Sequence, residues 1–173
     1  MAQILVGIVM GSDSDLPVMK EAYNILSELG IASEVIISSA HRAPDQTAEY
    51  ARKAAERGLA AIIAGAGLAA HLPGVIAANT PLPVIGVPIE SGPLKGVDAL
   101  YSIVQMPPGV PVAAVAINGA KNAGLLAAQI IGAGDPLIRN NIIAYKEKMT
   151  REMLKKAASL TELGLEEYLR KNG

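Results

Sequence analysis

The chain has 173 residues, a formal net charge of −1, 18% charged and 51% hydrophobic residues, two His, and no Cys, Trp or Phe. One domain is expected at this length, large enough to bury a core without disulfide or metal staples. The missing Cys excludes thiolate nucleophiles, Cys-ligated zinc, iron–sulfur clusters and disulfides. A metal site would have to lean on carboxylates, so none is expected. The near-zero charge offers no basic footprint for nucleic acid.

Residues 1–10 are mostly apolar, have no Lys or Arg ahead of them, and run straight into Gly11-Ser12-Asp13, unlike a secretory leader. They read as a first strand over 4–10, whose continuous apolar run suits a strand covered on both faces. A helical stripe follows over 16–29 and is closed by Gly30. A second strand is expected over 33–38. A helix over 44–57 starts with Pro44 in its first turn and stops at Gly58. The third strand is placed at 60–64 and a short helix at 72–79. The fourth strand is placed at 84–87 and a helix at 97–104. The fifth strand is placed at 112–117 and an Ala-rich helix at 120–131. The longest mostly apolar stretch, 59–78, is interrupted by Gly65, Gly67, His71, Pro73 and Gly74. It reads as strand–loop–helix, so no membrane span is expected and the cytoplasm is the expected compartment.

Five strands alternating with helices predict right-handed crossovers and a parallel sheet covered on both sides. The fold class is α/β in three layers, flavodoxin-like, with strand order 2-1-3-4-5 expected for five strands. Beyond residue 133 the chain becomes charged and helix-forming without strands, and Gly164 divides it into two helices. The expected organisation is a catalytic core over 1–133 and a helical extension over 134–173. Leu137, Ile138, Ile142, Ile143, Met149, Met153 and Leu154 in that extension need cover, for which a neighbouring subunit is the favoured source.

Ligands of open α/β sheets bind outside the carboxyl ends of the strands, and the polar residues gather at those ends. After the first strand, Ser12, Ser14 and Asp15 offer hydroxyls, a carboxylate and free backbone N–H groups beside a helix start. That set suits a phosphate with a carboxylate for ribose hydroxyls, although Ser14 or Asp15 could simply cap the helix. After the second strand, Ser39 precedes His41 and Arg42. The guanidinium can clamp a phosphate and the imidazole can move protons near neutral pH. A helix-capping turn with a surface His–Arg pair is the plainer alternative. After the third strand, the small residues Ala66 and Gly67 let backbone approach a flat ring. His71 and Leu72 open the next helix, with His71 equally suited to packing the loop or to catalysis. The run 87–92 and the Pro-rich run 105–109 read as apolar walls, and Lys121-Asn122 as a cap or a site rim. The residues together indicate an enzyme for a small phosphorylated, ribose-bearing ligand with His41 as proton carrier.

The ordered motifs GSDSD (11–15), SAHR (39–42), AGAGLAAHLPG (64–74), GVP (86–88), SIVQMPPGVPV (102–112) and NAGLLAAQI (122–130) resemble the class I N5-carboxyaminoimidazole ribonucleotide mutase family of purine biosynthesis. The resemblance covers residues 4–132 and extends to the helical tail. It implies a flavodoxin-like core assembled as a homo-octamer, with carboxylate transfer from N5 to C4 of the imidazole and no cofactor, metal, biotin or ATP. His41 matches the family's catalytic histidine. Ser12, Asp15 and Arg42 match its substrate-binding residues, with Ser14, Ser39, Ala66, Gly67 and Leu72 as further site candidates and His71 as the second histidine. The AAHLPG pattern at 69–74 favours the mutase over a related carboxylase that uses free CO2. Glu90, Gly92 and the turn at 118–121 depart from the family's pattern. A flavodoxin-like binding module is the reading from another class, weakened by the lack of Trp or Phe to stack a flavin.

Overall fold

The computed structural model of the chain describes residues 3–172. Met1, Ala2 and Gly173, which the expected domain limits include, lie outside the described residues. The elements are β1 (Val6–Met10), α1 (Leu16–Glu28), β2 (Ser33–Ile37), α2 (Pro44–Ala54), β3 (Ala61–Gly67) and α3 (Leu72–Ala77). They continue with β4 (Val84–Ile89), α4 (Val97–Val104), β5 (Ala113–Ala114), α5 (Ala120–Gly134) and α6 (Pro136–Asn172). All strand pairs are parallel, in the order β2-β1-β3-β4-β5.

The strand alternation builds the two core layers. Val6, Ile8 and Met10 of β1 and Ile63 of β3 face α1 and α5, where Met19, Ile25, Leu26, Ala123 and Ala127 meet them. Val9 of β1 and Ile62 and Ala64 of β3 face the other way, onto Ala51 and Ala54 of α2, Ile76 of α3 and Ile103 of α4. The central strands are buried on both faces, as their unbroken apolar runs require.

The structure corrects several expected boundaries. β3 and β4 run to Gly67 and Ile89 because they continue to pair with each other, Ala66 opposite Pro88 and Gly67 opposite Ile89. β5 is only two residues long instead of the expected six. Val115 donates to the Gly86 carbonyl (3.2 Å) and Asn118 to the Pro88 carbonyl (2.8 Å), so both residues of β4 turn their backbone toward β5. Pro88 has no N–H to give in return, and the ladder stops there. α5 continues to Gly134, beyond the expected 131, where Arg139 donates to the carbonyls of Gly132 (2.9 Å) and Ala133 (2.7 Å). Asp135 then caps α6 through the backbone N–H of Leu137 (2.8 Å).

Gly164 interrupts α6 at φ 73° and ψ 167°, dividing the tail as expected. The first part of α6 is held by its own chain: Ile138 and Ile142 are buried, and Asn141 donates to the Leu29 carbonyl (3.0 Å). Leu137, Ile143, Met149, Met153 and Leu154 remain exposed. Among the described residues, no helix is long and apolar enough to cross a membrane.

Candidate active site

The carboxyl ends of β1, β2 and β3 form one edge, and the three loops leaving it line most of a half-open cavity of about 370 Å³. Every candidate site residue borders it: Ser12, Ser14 and Asp15 from the first loop, Ser39, His41 and Arg42 from the second, Ala66, Gly67, His71 and Leu72 from the third.

In the first loop, a short 3-10 turn over Asp13–Asp15 leads into α1. The cap is Ser12, whose Oγ accepts from the Ser14 N–H (3.3 Å). Asp15 makes no capping hydrogen bond, which leaves its carboxylate to the cavity. Partial burial, first of all, pushes the Asp15 carboxyl above the ordinary carboxylate value, and the nearby Asp13 charge adds to this. The hydrogen bonds from Ser14 and Ser12 oppose the rise.

In the second loop, the buried Ser38 and Thr47 join β2 to α2 through their hydroxyls (2.7 Å), and Thr47 Oγ1 donates to the Ala43 carbonyl (3.1 Å). This clasp closes the turn that presents His41 and Arg42. Arg42 reaches across to the first loop, with Nη2 donating to the Gly11 carbonyl (3.1 Å) and Nε to Ser39 Oγ (3.4 Å). Its guanidinium is thereby held at the cavity rim, with donors left for an anion.

In the third loop, Leu68 adopts a left-handed backbone conformation (φ 53°). The Ala70 N–H then donates to the Leu68 carbonyl (2.9 Å), and the His71 N–H to the Ala69 carbonyl (2.7 Å). This tight turn brings His71 onto His41: His41 Nε2 and His71 Nδ1 lie 2.5 Å apart, with the rings edge to face at 89°. One nitrogen must carry the shared proton and the other accept it. The pair can therefore pass a proton within the cavity, and His71 fixes the orientation of the His41 ring.

Gly11, Ala40, Leu68, Ala69 and Ser91 also border the cavity. Ser91 was readable as a site residue from its place just after β4, at the same edge, but its run reads as an apolar wall. Lys121 and Asn122 do not border the cavity, and Lys121 lies over the Tyr145 ring at 5.8 Å. Glu90 is likewise occupied elsewhere, its backbone N–H donating to Asn118 Oδ1 (2.9 Å).

The model of the AIR carboxylase family matches residues 5–152. The chain is 62% identical over 164 residues to the N5-carboxyaminoimidazole ribonucleotide mutase of Thermotoga maritima, covering 95% of this chain and 96% of that protein. It is 60% identical over 165 residues to the mutase of the same name from Pyrococcus horikoshii, covering 95% and 93%. The crystal structure of Treponema denticola PurE superposes with a TM-score of 0.82 at 30% identity, over 90% of this chain and 98% of that one. The fold, the ordered strand-end loops and near full-length identity agree, and the chain belongs to the AIR carboxylase family.

Proposed function

We propose that this chain is the mutase of purine biosynthesis that converts N5-carboxyaminoimidazole ribonucleotide to 4-carboxy-5-aminoimidazole ribonucleotide. The observation that carries the reading is the His41–His71 pair (2.5 Å) in a cavity rimmed by Arg42, Ser12, Ser14 and Asp15. Arg42 and Ser14 hold the phosphate, and Asp15 and Ser12 the ribose hydroxyls. Ser39, Ala66, Gly67 and Leu72 shape the slot for the ring. These distant contacts position the imidazole.

Protonated His41 gives its proton to N5 as the N–C bond breaks, releasing CO2 and leaving the free amine. C4 then attacks the CO2 held beside it, forming the C–C bond and a tetrahedral C4 that still carries its hydrogen. Neutral His41 removes that proton, and the ring regains its aromaticity. Proton and carboxylate are both conserved, so the net reaction is an isomerisation. One residue acts as acid and then as base, and the small-residue wall keeps CO2 from water and escape.

The finer features of the reading are a nucleotide-binding core over 1–133 and a helical extension over 134–173 that packs on neighbours in a cytoplasmic homo-octamer. The exposed Met149, Met153 and Leu154 on α6 support a neighbour's cover. Purified protein should turn over the N5-carboxylated ribonucleotide without added bicarbonate. Turnover only of aminoimidazole ribonucleotide with dissolved CO2 would replace the mutase by the carboxylase.

A further inference from the structure

The wall between the third and fourth strand-end loops is keyed in both directions. A Cβ on Gly67 would lie 3.1 Å from Ser91 Cβ and 3.2 Å from the Ile89 carbonyl oxygen. A Cβ on Gly92 would lie 2.8 Å from Leu68 Cδ2, the one described atom within 4 Å apart from its chain neighbours. Each loop thus carries a glycine where the other loop places a side chain. Gly67 makes room for Ser91, and Gly92 makes room for Leu68.

Leu68 sits there against its own backbone preference. At φ 53° it occupies the left-handed region that glycine adopts at little cost and leucine does not. It is also 49% exposed, so full burial of the side chain does not offset the strain. Strained residues persist where the surroundings hold them, and they cluster at sites whose working needs them. Leu68 borders the cavity. Its carbonyl anchors the turn that carries His71 to His41.

We infer that Leu68, seated on Gly92, is a positioning residue that closes the cavity wall and retains the CO2 released between the two half-reactions. This inference rests on the mutase reading. A leucine tip is apolar and offers CO2 no nucleophile, while its contact across the loops blocks a path to water beside the His71 turn. Glycine at position 68 would keep the backbone conformation and remove only the plug.

The test is retention of the migrating carboxylate. Unlabelled N5-carboxylated substrate is converted in buffer containing 13C-bicarbonate, with carbonic anhydrase keeping the label available as CO2. The labelled fraction of the C4 carboxylate then measures exchange with the solvent. The wild-type protein should transfer mostly unlabelled carboxylate. Leu68→Gly should raise the labelled fraction severalfold, and Leu68→Met should restore retention. Gly92→Ala, which crowds the Leu68 tip and also forces an alanine into the left-handed backbone region at φ 62°, should also leak. Wild-type retention in both Leu68→Gly and Gly92→Ala would overturn the role given to Leu68 and leave the mutase intact. Full labelling in the wild-type protein would instead overturn the mutase reading, and the retention role with it.

Discussion

Replacing Thr47 by Val keeps the shape of a fully buried side chain and removes one hydroxyl. The Thr47 hydroxyl has one proton, and it goes to the Ala43 carbonyl at 3.1 Å. The 2.7 Å contact to Ser38 therefore has Ser38 as donor. Valine at 47 strands that donor at a position only 4% exposed, at a cost of about 1–3 kcal/mol. The Ala43 carbonyl keeps the Thr47 backbone N–H (3.1 Å) and loses little. Ser38→Ala should cost less, about 0.5–1.5 kcal/mol, because Thr47 retains its acceptor. The double variant, with both hydroxyls gone, should be more stable than Thr47→Val alone. The measurement is urea unfolding at fixed protomer concentration, since any subunit association links stability to concentration. A loss of about 2 kcal/mol at a slope of about 2 kcal/mol/M lowers the midpoint by about 1 M. A double variant no more stable than Thr47→Val would refute the stranded-donor reasoning.

His41→Asn should bind substrate normally but lose kcat by about 10²- to 10⁴-fold, the usual contribution of general acid–base catalysis; near-normal turnover would sink the proton-carrier role. Arg42→Ala should raise KM about 10- to 100-fold through loss of a charge-assisted anion contact, and an unchanged KM would count against a phosphate clamp. Asp15 supplies a pH prediction whose sign follows from its raised carboxyl. The folded protein holds a proton that the unfolded chain has already released, so this contribution to stability is complete below the ordinary value of 3.8. It is lost as the pH climbs through the raised folded-state value. Asp15→Asn should therefore flatten the fall in urea midpoint as the pH rises above 3.8, and an identical slope in both proteins would contradict the burial argument.

Much of this molecule was legible in the chain itself. Apolar runs such as 4–10 and the stripe over 16–29 record which local segments must be buried, and hydrophobic burial acts on every residue of a segment. The alternation of strands and helices then implies parallel crossovers and places the polar loops at one sheet edge. His41, Arg42, Ser12, Asp15 and His71 could therefore be assigned to a common rim before any coordinates.

The contacts between loops depended on tertiary structure. The approach of His41 to His71 joins residues 30 apart in sequence. It depends on how β2 and β3 flank β1 and on the turn that Leu68 makes. Ser12 supplies the capping hydrogen bond, to the 3-10 turn that leads into α1, while Asp15 at the start of α1 makes none, a choice among three polar neighbours that local propensity does not separate. β5 ends at Ala114 because Pro88, on the adjoining strand, lacks the N–H to continue the ladder. Nor does periodicity separate Ile138 and Ile142, which α6 buries against its own chain, from Met153 and Leu154, which it leaves exposed. Sequence patterns specify which residues must be covered. Only the packed chain specifies what covers them, because that depends on distances between segments remote in sequence.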